Sequence, residues 1–128
     1  MQANRIGVVD HATLGKLSDA AQTAARSMLD LEIRNVGEIL LSAGNGCSAA
    51  DVEAALMQAT RLLRLHRAVQ AGQVSPVIAR DLTPMMKHYR EVTLTDVQHE
   101  RDQGHGTWAE WLMEDVAGVD RYLSDVVA

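Results

Sequence analysis

At 128 residues and 13.9 kDa, with 47% hydrophobic residues, the chain has the size and apolar content of one ordinary globular domain, 1–128, which excludes a disordered tail or two full domains. Its apolar residues are mostly alanine (18 residues), leucine, valine and methionine, with two tryptophans, two tyrosines and no phenylalanine. That composition disfavours strand-rich cores and favours helices packed through small or flexible side chains. The net charge of −5 argues against a protein that holds nucleic acid by bulk charge alone.

The first periodic segment runs from about Asp10 to Ala43. Leu14, Leu17, Ala21, Ala24, Met28 and Leu31 recur at steps of three and four, one face of a helix. A second row, Leu29, Ile33, Val36 and Leu40, turns that face around the axis. A helix near 30 residues long in so small a chain predicts burial outside its own subunit, so the first row is the expected homodimer contact. Ser42 to Ser48 carries Gly44, Asn45 and Gly46 and reads as a helix stop and a turn. Ser48 with Asp51 three residues on predicts a helix start, and the second helix should run to about Ala71 with Gly72 closing it.

Ser75-Pro76 is a second start signal. Pro84 lies eight residues further on, and a proline removes a backbone donor and restrains its predecessor. A short helix over 76–82 and a longer one over 84 to about 92 are therefore expected, followed by a turn or two from Thr95 that ends at Gly104. Gly104-His105-Gly106 is a breaker, and Thr107 with Glu110 has the spacing of a capping box for a last helix over about 108–126. Trp108, Trp111, Leu112, Val119, Tyr122, Leu123 and Val126 form its apolar stripe, interrupted by Asp115. The expected fold is all-α, a compact bundle of four to five helices with one long N-terminal helix.

Charge is unevenly distributed. Residues 61–90 hold six basic residues and one acidic; residues 91–128 hold two basic and nine acidic. The basic middle either faces the acidic last third or offers a phosphate-binding face. Arg61, Arg64 and Arg67 recur every three residues, with Arg80, Lys87 and Arg90 following, so a DNA-binding regulator using 61–90 is the alternative reading. The stretch from Val74 to Thr83 is loosely like the first helix of a helix-turn-helix, but Pro84 to Tyr89 is a poor recognition helix.

Catalytic and metal chemistry find little support. The lone Cys47 precedes a helix cap, where the dipole favours a thiolate, yet no histidine neighbours it in sequence to act as base. His99, Glu100, Asp102 and His105 are a polar cluster whose spacing matches no recurrent metal helix. The Gly44-Asn45-Gly46 loop has no Lys-Ser or Lys-Thr after it and no strand before it, so it is not a phosphate cradle. No catalytic residue, metal or cofactor is expected.

Protein binding needs the fewest assumptions. Met85, Met86, Trp108 and Trp111 are adaptable and anchoring side chains, and Glu110 and Glu114 supply an acidic rim for a basic partner. The expected protein is a small non-enzymatic regulator, inhibitor or adaptor, for example one that sequesters a transcription regulator, acting as a homodimer. Bacterial regulators of that kind share its size and helical character, with no residue motif tying this chain to them. A single cysteine, an N-terminus without an apolar core and no membrane-length apolar run together lead us to expect a cytoplasmic protein with no membrane contact.

Overall fold

The computed structural model describes residues 16–42, 46 and 48–127, and these are mostly helical. Among these residues there are four helices: α1 Asp19–Leu41, α2 Ala49–Gln70, α3 Pro76–Asp102 and α4 Gly106–Val127. No helix among them is long and apolar enough to cross a membrane.

Serines open the first three helices. The Ser18 hydroxyl accepts from the Ala21 N–H at 3.4 Å, and the Ser75 hydroxyl accepts from the Ile78 N–H at 3.3 Å. At α2 the capping is reciprocal, with the Asp51 N–H donating to Ser48 and the Ser48 N–H donating to the Asp51 carboxylate. Two glycines stop helices by the same device. Gly72 (φ 74°) and Gly104 (φ 78°) adopt the left-handed conformation. The N–H groups of Gly72 and Gln73 then reach the carbonyls of Val69 and Ala68, and those of Gly104 and His105 reach Arg101 and Glu100. Both are Schellman closures, which satisfy carbonyls that a helix end leaves without partners.

Three expectations about the helices need correction. The first helix begins at Asp19 because Ser18 caps it, so it is shorter than the 10–43 segment, and the longest helix is α3, at 27 residues. Pro84 neither ends nor restarts α3, which is continuous from Pro76 to Asp102. Ala79, Leu82, Met86, Thr93 and Val97 are all buried along one side of it, and that shared burial outweighs the roughly 3 kcal/mol that an interior proline costs. The last helix starts at Gly106, so Thr107 lies inside its first turn and is not the cap.

The helices pair as two antiparallel hairpins, α1 with α2 and α3 with α4. The hairpins join along α1 and α4, whereas α3 meets α1 and α2 only locally. At the shared end, Leu17 N–H donates to the Gly72 carbonyl, and Gln22 donates to the Val69 and Gln70 carbonyls at the end of α2. Asp125 of α4 accepts from both the backbone and the hydroxyl of Ser18. One buried cluster, including Ala21, Met28, Leu62, Leu82, Met86 and Tyr122, runs through all four helices. Toward the opposite end, Leu31, Ile39 and Leu41 of α1 and Trp108 and Trp111 of α4 are exposed.

Candidate protein-interaction site

Part of α4 is bare. Trp108, Trp111, Asp115, Val119, Tyr122 and Val126 follow one another at steps of three and four, so they share one side of the helix. Val119 and Tyr122 are fully buried, whereas Trp108 and Trp111 are 56% and 57% exposed. The uncovered half continues the buried one. Helix α1 covers this face where Ala20 and Ala24 closely approach Gly118, and Glu114 and Asp115 border a hollow of about 280 Å³ beside that contact. Beyond it the two indoles pack against each other edge to face, with centroids 5.1 Å apart and planes at 89°, a favoured aromatic geometry. Glu110 and Glu114 are exposed beside them.

Between the hairpins lies a groove of about 520 Å³ with Leu31, Met85, Tyr89 and Val92 as its apolar lining and Glu32, Arg61 and His88 among its polar groups. Its α3 wall is fixed by bonds to α4. The Tyr89 hydroxyl donates to Asp115 at 2.8 Å, Arg90 meets Asp120 at 2.7 Å, and the hydroxyls of Thr83 and Tyr122 lie 2.9 Å apart. Burial, reinforced by the Asp115 carboxylate, pushes the Tyr89 phenol well above its ordinary value. Burial also raises Tyr122, against a smaller opposing effect of its bond to Thr83. Asp115, which interrupts the apolar stripe in sequence, thus serves as the acceptor that holds Tyr89 in place.

The sequence-derived candidates separate in space. Met85 lines the groove, while Met86 belongs to the core stripe of α3 and is fully buried. In the row expected to form a dimer contact, Leu17, Ala21, Ala24 and Met28 are at most 4% exposed and packed inside the chain itself, Leu31 opens onto the groove, and Leu14 lies outside the described residues. A second copy could reach that row only if α1 left its own bundle. The sequence missed the groove because its walls come from three helices, and Tyr89 and His88 carry no local signal of facing Leu31.

The basic segment is partly neutralised within the chain. Arg61 and Arg64 both approach Asp81, at 3.9 and 3.0 Å, and Arg90 pairs with Asp120. Arg67, Arg80 and Lys87 have no carboxylate within 4.0 Å among the described residues. Only Arg90 of these pairs reaches the acidic last third. In the polar cluster, His105 and Glu100 meet at 2.7 Å and Gln98 donates to Asp102, and among the described residues no three His, Cys, Asp or Glu side chains are arranged to hold a metal. Cys47, Gly44 and Asn45 lie outside the described residues.

No family model, curated protein or solved structure matches this chain.

Proposed function

We propose that the protein is a non-enzymatic binding module that docks another protein on the uncovered end of the α3/α4 hairpin, and so acts as an inhibitor or adaptor. One observation carries this reading: both tryptophans of the chain are more than half exposed, on the continuation of a helix face that elsewhere forms the core. A large aromatic with an apolar body and one N–H donor is the side chain most often found as an interface anchor. Glu110 and Glu114 beside the indoles select a basic partner surface and speed encounter, while the indoles set the lifetime of the complex. Met85 and the groove extend the apolar surface with an adaptable thioether.

The nucleic-acid reading, which draws on α2 and α3, is less well supported, since Arg61, Arg64 and Arg90 have carboxylates of the chain beside them. A single experiment separates the two. The tagged protein and its Trp108→Ala/Trp111→Ala variant are used to capture partners from lysate, with and without nuclease. A stoichiometric protein that survives nuclease and is lost with the variant supports the docking site. Capture that vanishes with nuclease, or is equal for both proteins, overturns it.

A further inference from the structure

We propose that a second copy of this chain docks antiparallel on the outer face of α2, about a twofold axis near Thr60. Helix α2 carries two apolar seams. Ala55, Leu62, Leu65 and Val69 are buried. Val52, Leu56, Ala59, Leu63 and His66 recur at steps of four and three along another side, where Leu56 and Leu63 are 54% and 58% exposed. His66 meets Asp30 of α1 at 3.3 Å, and Ile33, Gly37 and Leu40 continue from Asp30 at the same helical spacing, each partly exposed. The α1/α2 hairpin therefore presents a face whose exposed apolar side chains are Leu56 and Leu63, bordered by Ala59, Ile33 and Leu40, which are partly buried against the core.

Charge identifies the occupant. In a twofold interface residue i meets residue j and j meets i. Glu53, Thr60 and Arg67 flank the exposed seam at steps of seven, the register in which antiparallel helices exchange ion pairs beside their apolar contact. An antiparallel copy centred near Thr60 sets Glu53 against Arg67 of the second copy twice over and brings Leu56 against its Leu63. A parallel copy sets like charges at the same level and loses both pairs. Among the described residues neither Glu53 nor Arg67 has an ion-pair partner within its own chain.

This face is on α2, so the inference does not rest on the docking role of Trp108 and Trp111. Light scattering on the full chain at about 50 μM, where a useful dimer has formed, is expected to give twice 13.9 kDa. Leu63→Glu, at an exposed position, should leave the helical circular dichroism unchanged and yield a monomer. Glu53→Arg and Arg67→Glu should each weaken the dimer by about tenfold, and the double variant, which restores both pairs in reversed sense, should return to within about threefold of the parent. A monomeric parent, or a dimer indifferent to Leu63→Glu, overturns the face; single losses without recovery in the double variant overturn the antiparallel register.

Discussion

A methyl group at Gly118 would sit 2.7 Å from both the Ala20 carbonyl oxygen and the Ala24 Cβ. Backbone on one side leaves no flexible group to yield, so Gly118→Ala must push α1 off α4. We expect it to destabilise the protein by about 1–3 kcal/mol in urea unfolding, although alanine is the better helix former. Gly37 supplies the control, because a Cβ there meets nothing within 4 Å, and Gly37→Ala should stabilise by roughly 0.5–1 kcal/mol. Nothing in the sequence distinguishes these two helical glycines. The tyrosines make a second residue-scale prediction. Both are held above the ordinary value of 10.0, chiefly by burial. The folded chain therefore holds its phenolic protons to higher pH than the unfolded chain, which releases them near pH 10, so the tyrosines' contribution to stability is level below that pH and falls as the pH rises above it. Ultraviolet difference absorbance should show tyrosine ionisation displaced to higher pH in the folded protein than in the unfolded chain, and Tyr89→Phe should flatten the alkaline loss of stability.

At the scale of the helix, the ends were legible and the continuity was not. Ser48, Gly72, Ser75 and Gly104 act where their local chemistry points, since caps and left-handed closures involve only a few neighbouring residues. Ser18 could have been read in the same way from Ser18-Asp19, but the apolar rhythm running back through Leu17 and Leu14 concealed it. Ser18 also does something a cap alone does not, donating its hydroxyl to Asp125 at 2.9 Å. Ser18→Ala should accordingly cost more than the ~1 kcal/mol of an ordinary cap, and more than Ser48→Ala, whose bonds are exposed; thermal unfolding of the two variants checks the order. Pro84 misleads in the opposite direction. Its local penalty is real, but α4 packs along α3 on both sides of it, through Thr83 to Tyr122 and Tyr89 to Asp115. Replacing exposed Pro84 with alanine restores a backbone donor and should raise stability by about 1–3 kcal/mol.

For the whole molecule, the relevant feature is that the two hairpins meet closely at one level and leave apolar side chains exposed at another. Small residues bring α1 onto α4 at Gly118; elsewhere a groove lies between the hairpins and the tryptophans are exposed. The docking reading then makes a kinetic prediction. Reversing Glu110 and Glu114 to lysine should slow association with a basic partner several-fold at low salt and little at high salt, as measured by stopped-flow tryptophan fluorescence. Asp120 is unsuitable for that test despite its place in the acidic last third, because it is engaged with Arg90, and reversing it would disturb the α3/α4 hairpin.

Composition and periodicity alone established that this protein is helical and marked most of its helix ends, because both follow from interactions within a few residues of chain. They could not assign faces. Leu17, Ala21, Ala24 and Met28 have the spacing of an association seam and are core, while Leu56 and Leu63 share their helix with a buried seam and face solvent. An apolar row states only that it must be covered, not by what. The tertiary structure made that choice through which helices pack together, as at the close approach of α1 to Gly118, and so fixed which residues became core and which became surface.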